Sequence, residues 1–177
     1  MILAVVGLPG SGKSATTHFL VEHGFHNIYL GQPVMDELRR RGLERTEHNE
    51  RLVRELLREE YGMAAMAKLL LPRIKEFAKQ GDVVLESMYS WSEYRLLLSA
   101  FPTRFRVLAV HASPATRKER MRVREQRPLE PEELVARDFR QIERLEQAGP
   151  IARADFHVVN ESSKESLFDS LRELFVS

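Results

Sequence analysis

A three-layer α/β fold, with five parallel strands covered by helices on both faces, is what this 177-residue sequence predicts. Short apolar runs rich in β-branched residues alternate five times with longer segments of helical period, the pattern of a parallel sheet with crossover helices. The uninterrupted stretch Gly7-Leu8-Pro9-Gly10-Ser11-Gly12-Lys13-Ser14 joins the first run to the first helical segment. Finally, 43% hydrophobic content is enough for one ordinary core, and the length favours a single domain over residues 1–177.

Ile2 to Val6 is continuous and largely β-branched, as suits a central strand covered on both faces. It is read as a strand and not a secretory leader, because it lacks a basic start and Gly7 interrupts it. The glycines that follow let the backbone curl its N–H groups around a phosphate, at the positive end of the next helix. Gly7 to Gly12 and Ala15 are the cofactor-binding candidates there, Lys13 is placed to reach the β- and γ-phosphates, and Ser14 to hold Mg²⁺. A plain glycine turn would need neither the lysine nor the hydroxyl at these offsets.

Lys13 to His23 reads as a helix closed by Gly24, with His18 and His23 solvated. A second strand, Asn27 to Leu30, leads through Gly31-Gln32-Pro33 to a helix from Val34 to Arg41 that stops at Gly42. Thr46 caps the next helix, whose apolar stripe is Leu52, Val53, Leu56 and Leu57 and whose charged residues form a wet face. Met63, Met66, Ala67, Leu70, Leu71, Ile74, Phe77 and Ala78 keep helical spacing up to Gly81-Asp82, with a kink or restart expected at Pro72.

The third strand, Val83 to Leu85, runs into Glu86, and a capping box at Ser90-Trp91-Ser92-Glu93 opens the helix after it. Arg104 to Val110 holds the fourth strand; Ser113-Pro114 then starts an arginine-dense helix. Residues 117–127 carry a local charge of +4, against +1 for the whole chain. After a break at Pro128 to Pro131, Glu132 to Gln147 is helical and ends at Gly149-Pro150. Phe156 to Val159 is the fifth strand. A capping box at Ser162-Ser163-Lys164-Glu165 begins the last helix, with Leu167, Phe168, Leu171, Leu174 and Phe175 on one face.

Ligands of such folds bind at the carboxyl ends of the strands, and three of those ends carry candidate chemistry. The first is the phosphate loop. The third gives Glu86, an acid directly after an apolar strand, placed to hold Mg²⁺ or to orient the attacking nucleophile. The fourth leads into the arginine block, where helical spacing puts Arg120 and Arg124 on one face and Arg122 elsewhere; arginines over a triphosphate stabilise the charge that develops in transfer. The same block also reads as a solvated basic helix or a nucleic-acid patch, although it lacks the interleaved aromatics that single-strand binding uses. With no cysteine in the chain, disulfides, thiolate chemistry and cysteine-ligated zinc are excluded, in keeping with a cytoplasmic protein; no apolar stretch is long enough for a spanning helix, so no membrane partner is expected.

The whole chain resembles the adenylate-kinase-like kinases with the three-layer P-loop NTPase fold. It is most similar to an archaeal family of adenylate-kinase-related proteins with features of dephospho-CoA kinases. The residues that carry this are the phosphate loop, Ser113-Pro114, Glu119-Arg120-Met121-Arg122-Val123-Arg124, Arg137-Asp138, and Ala154-Asp155-Phe156-His157-Val158-Val159-Asn160. The resemblance implies that Arg120 lies against the nucleotide base, that Arg124 and Arg127 lie near the phosphates, that the Asn160 loop borders the base, and that Arg137 belongs to a short lid at about 120–137. It implies an acceptor-binding segment at about 31–72. Lys13, Glu86, Arg124 and Arg127 are then the catalytic candidates, ATP or GTP with Mg²⁺ the cofactors, and a nucleoside triphosphate and a small nucleotide-like molecule the partners. Where relatives carry Gly-Asp and an arginine three residues on, this chain has Gly31-Gln32 and Met35; where they carry Asp-Gly-x-Arg, it has Glu86-Ser87-Met88-Tyr89. The donor half is therefore marked and the acceptor half departs. A nucleotide-binding switch or weak ATPase acting on an RNA or protein is the alternative, with a nucleic-acid kinase the third reading.

Overall fold

A computed structural model describes residues 1–124 and 129–176. Its strands are β1 (Ile2–Val6), β2 (His26–Tyr29), β3 (Val83–Glu86), β4 (Phe105–His111) and β5 (Phe156–Val159). They form one sheet in the order β2-β3-β1-β4-β5, and every pairing is parallel. Ile2 sits opposite Val83 on one side and Phe105 on the other, so β1 is central and its five residues are all buried. This bears out the continuous apolar run as a strand covered twice.

The described helices are α1 (Lys13–Glu22), α2 (Gln32–Arg40), α3 (Glu47–Tyr61), α4 (Ala65–Gln80), α5 (Trp91–Ala100), α6 (Pro114–Arg122), α7 (Pro131–Glu143), α8 (Ala148–Ala152) and α9 (Lys164–Phe175). The period-two alternation of the strands divides the core between them. Ile2, Ala4 and Val6 pack with Val34, Leu38, Val53, Ile74 and Leu97 from α2 to α5; Leu3 and Val5 pack with Phe19 and Leu20 of α1 and Leu167 and Leu171 of α9. These are the two outer layers.

Five local readings are corrected. The fourth helix neither restarts nor ends at Pro72 but continues from Ala65 to Gln80. Pro72 is exposed, as is Lys68, whose carbonyl loses its partner to the ring; water can serve it, while Leu70, Ile74 and Ala78 hold the opposite face on the sheet. Gly149-Pro150 begins a helix instead of stopping one. The preceding helix ends at Glu143, and Pro150 falls in the first turn of α8, where its missing N–H is not needed. Gly149 is required there by contact, since a Cβ would lie 2.7 Å from the Trp91 ring.

The last helix is capped one residue later than expected, by Ser163, whose hydroxyl accepts from the Ser166 N–H at 3.3 Å. On α3 the wet face is not uniform: Glu50 is buried, and Leu52 of the expected apolar stripe is exposed. Met63 is likewise exposed and contributes nothing to the core. The caps at Thr46, Ser90 and Ser113 are present as read, as is the left-handed closure at Gly24.

Ser90 fixes more than a helix end. Its hydroxyl accepts from Glu93 N at 3.1 Å, and Glu93 Oε2 accepts from both Tyr89 N and Ser90 N at 2.9 Å, which pins the connection after β3. Ser90→Ala is expected to lower stability by about 1–2 kcal/mol in urea unfolding.

Candidate active site

A parallel sheet sends all five strand ends to one edge, and the loop 7–12 occupies its centre. Gly7, Gly10 and Gly12 have φ of +144°, +80° and +110°. Contact adds to conformation. A Cβ on Gly7 would lie 2.3 Å from Val110 O at the end of β4, one on Gly10 2.9 Å from Arg117 O in α6, and one on Gly12 2.3 Å from Asn160 Nδ2 after β5. Lys13, the first residue of α1, folds back so that Nζ donates to Leu8 O at 3.0 Å. Ser11 is buried, and its hydroxyl has no partner among the described residues.

The arginine block separates by role. Arg117 is 3% exposed; it donates to Pro9 O at 3.1 Å and forms a bidentate pair with Asp138 at 2.9 and 2.6 Å. One guanidinium thereby ties the loop, α6 and α7 together. Sequence reading counted Arg117 only as charge. Its one available signal was the acid of Arg137-Asp138, and pairing two charges 21 residues apart takes the folded chain.

Arg120 donates to Asn160 O at 2.9 Å, Asn160 Oδ1 at 3.3 Å and Ser162 O at 3.2 Å, while Asn160 Nδ2 donates to Ser11 O at 2.8 Å. The Asn160 loop is thus joined to both α6 and the loop 7–12. Arg120 and Arg124 do not share a helix face, because α6 ends at Arg122. Arg120 turns to the Asn160 loop, and Arg124 is close enough for its charge to act on Lys13. Arg122 pairs with Glu119 on the surface, away from both. Arg127 lies outside the described residues.

The cation cluster is felt at Lys13. Burial, followed by the charges of Arg137, Arg117 and Arg124, brings its pKa down to about 7, with Asp138 opposing. Lys13 thus lies within reach of the charges of Arg117, Arg124 and Arg137 beside a glycine loop that opens a helix, a setting that favours an anion, although Arg117 is itself already paired with Asp138. A triphosphate fits this set, because it supplies acceptors and negative charge that the cluster lacks.

Glu86 ends β3, beside β1, and is half-buried. Ser14 is exposed in the first turn of α1. A hydroxyl and a carboxylate are hard oxygen donors that suit Mg²⁺, which takes few protein ligands and completes its shell with phosphate and water. Among the described residues no group of three or more His, Cys, Asp or Glu side chains forms a metal cage.

The other side of the edge is a cleft of about 330 Å³ lined by Gln32, Met35, Leu38, Arg39, Leu43 and Arg45. Gln32 Nε2 donates to Asp36 at 2.8 Å, and Arg39 and Arg45 face Asp36 and Glu50 at 2.6 and 3.0 Å. Tyr29, at the end of β2, has a raised pKa because it is buried and lies near Tyr89, Glu50 and Glu86.

Comparison with known proteins bears on the family and the fold. A family model described as an AAA domain matches residues 3–146. UPF0200 proteins of Thermococcus sibiricus and Methanocaldococcus jannaschii are 37% and 34% identical, over 92% and 97% of this chain and 87% of each relative. Among solved structures, a shikimate kinase from Bacteroides thetaiotaomicron aligns with TM-score 0.59 at 18% identity, covering 98% of this chain and 97% of that one. A gluconokinase from Sinorhizobium meliloti aligns with TM-score 0.53 at 16% identity, covering 97% and 91%. At those identities the likeness is one of fold, that of P-loop kinases.

Two outcomes are expected. The folded protein binds fewer protons at Lys13 than the unfolded chain between about pH 7 and the ordinary lysine value of 10.5, so this residue's contribution to stability rises with pH across that window. A triphosphate on the loop restores the charge; calorimetry in buffers of different ionisation enthalpy should therefore register uptake of close to one proton on nucleotide binding at pH 8 and little at pH 6. Separately, Asp138→Ala leaves the buried Arg117 charge unpaired and is expected to lower stability by about 3–5 kcal/mol in urea unfolding.

Proposed function

The chain belongs to the UPF0200 family and carries its AAA domain, and on that premise we propose that it transfers the γ-phosphoryl group of ATP, or GTP, to a small nucleotide-like acceptor with Mg²⁺. The observation that carries this is the convergence of Lys13, Arg117, Arg124 and Arg137 on the phosphate loop, with Glu86 at the next strand end. Phosphoryl transfer asks for positioning and charge stabilisation more than for covalent chemistry, and this site is supplied with both.

In this reading Lys13 donates to the β- and γ-phosphates, and Arg124, Arg127 and Arg137 offset charge on the transferring group. Arg120 and Asn160 flank the base. Ser14 would hold Mg²⁺ directly and Glu86 through water, and the ion would neutralise phosphate oxygens. Glu86 also orients the acceptor hydroxyl: its oxygen bonds to the γ-phosphorus, the bond to the β–γ bridging oxygen breaks, and the hydroxyl proton passes to Glu86 and then to solvent. Residues 31–72 contact the acceptor, and residues 120–137 act as a lid that keeps water out.

A switch or weak ATPase is the second reading, favoured by one feature. Gln32 and Tyr89 spend their polar groups internally, on Asp36 and Ser87, where a nucleotide kinase of this type would grip its acceptor. A nucleic-acid partner draws less support, because half of the six cations in the +4 block have partners within the chain: Arg117 with Asp138, Arg120 with Asn160 and Arg122 with Glu119.

Labelled ATP offered with nucleosides, nucleotides and dephospho-CoA should yield a phosphorylated acceptor; hydrolysis with no transfer would favour the switch. Lys13→Ala should lower turnover by about a hundredfold or more, as loss of a charge-stabilising donor does. Turnover at the parent rate would overturn the placement of the site.

A further inference from the structure

A loop that turns its N–H groups toward an anion sends its carbonyls outward, and each buried carbonyl then needs a donor. The loop 7–12 meets this need with side chains. Leu8 O accepts from Lys13 Nζ at 3.0 Å, Pro9 O from Arg117 at 3.1 Å and Ser11 O from Asn160 Nδ2 at 2.8 Å. Gly7 O is left to a neutral group, Gln147 Nε2, at 3.4 Å. Gln147 is 0% exposed, and its Oε1 has no partner among the described residues. A trans peptide points its N–H opposite its carbonyl, so holding Gly7 O turns the Leu8 N–H away from Gln147.

The backbone around Gln147 is anchored on two sides. Its N–H donates to Gln141 O in α7 at 3.0 Å, and two residues earlier Leu145 O accepts from Trp91 N at 3.1 Å. Trp91 opens α5, the helix after Glu86, and its ring stacks on Tyr94 with centroids 4.8 Å apart. Gly149 meets the same ring, which lies 2.7 Å from where a Cβ would be. The turn 145–149 is therefore wedged between two parts of the site: it touches the phosphate loop through Gln147 and the connection after Glu86 through Leu145 and Gly149.

The joint between these contacts is strained. Glu146 has φ of +54°, a left-handed conformation that a residue with a Cβ rarely adopts and that persists only where its surroundings over-determine it. With that residue locked between them, Leu145 and Gln147 cannot move independently. A bond of 3.4 Å is long enough to be shortened or broken when the loop takes up a ligand.

We propose that Gln147 is a positioning residue for the phosphate loop, setting the Gly7–Leu8 peptide, and that the turn 145–149 carries the state of that loop to the connection after Glu86, so that a polyphosphate on the loop is registered at Trp91. This rests on the phosphoryl-transfer reading. It joins the donor side to the acceptor side through a neutral amide, with no charge involved.

Trp91 is the chain's single tryptophan, so its fluorescence tests the link. With Mg²⁺ and a non-hydrolysable ATP analogue, whose binding is followed in parallel by calorimetry, Trp91 emission should change saturably with the calorimetric affinity. Gln147→Leu should still bind the analogue, about tenfold more weakly, and lose most of the emission change at saturation. An undiminished change in Gln147→Leu, or no change in the parent when calorimetry shows binding, would overturn the link. Should Gln147→Leu fail to fold, Glu146→Gly takes its place, since its φ suits glycine; a response equal to the parent's would again count against the link. If the analogue does not bind at all, the phosphoryl-transfer reading falls, and amide exchange decides the link alone. The Trp91 N–H should then exchange about tenfold faster in Gln147→Leu, or in Glu146→Gly, than in the parent, with the Ile2 and Val83 amides unchanged; equal rates at Trp91 would refute it.

Discussion

The backbone of residues 7–12 runs so close to the end of β4, to α6 and to the Asn160 loop that no side chain fits at Gly7, Gly10 or Gly12, and most of what is distinctive about the molecule depends on that approach. It requires α6 to be held down on the loop. Arg117, buried and bonded to Pro9 O and Asp138, performs this from the middle of the helix. It also requires the last strand to deliver Asn160 to Ser11 O, which the register of β5 against β4 does. The loop is thus shaped by contacts from the far end of the chain as much as by its own glycines.

Charge is divided along the same edge. The donor side gathers Lys13, Arg117, Arg124 and Arg137 closely enough to depress a lysine pKa to about 7, whereas the α2 side pairs its arginines with its own carboxylates. A bound triphosphate would relieve the first arrangement and find little to hold it in the second. The asymmetry gives the edge a direction: unrelieved positive charge toward β1 and β4, paired charge toward β2.

Buried polar groups cluster around the same place. Ser11, Arg117, Gln141 and Gln147 all have buried atoms without partners among the described residues, and Gln147 also donates to Gly7 O at 3.4 Å. A fold that served only stability would have little reason to accumulate such groups around one loop, since each disfavours folding unless something satisfies it.

The sequence by itself determined the elements and the edge. Apolar runs, capping residues and glycines report on contacts within a few residues, so the five strands, most of the helices and the phosphate loop were legible, as were Lys13 and Ser14 at the start of α1 and Glu86 at the end of β3. Where a local rule met packing, packing decided: Pro72 stays inside α4 because its face is exposed, and Pro150 opens α8 because it falls in a first turn. What only the tertiary structure decided was the assignment of charge. Arg117 and Arg122 look alike in a basic helix, yet one is buried against Asp138 and the other lies on the surface with Glu119. Glu50 and Arg58 look like one wet face of α3, yet Glu50 is buried and Arg58 has a buried Nε without a partner among the described residues. Periodicity says which residues share a face of one helix; what that face meets depends on chain segments tens of residues away.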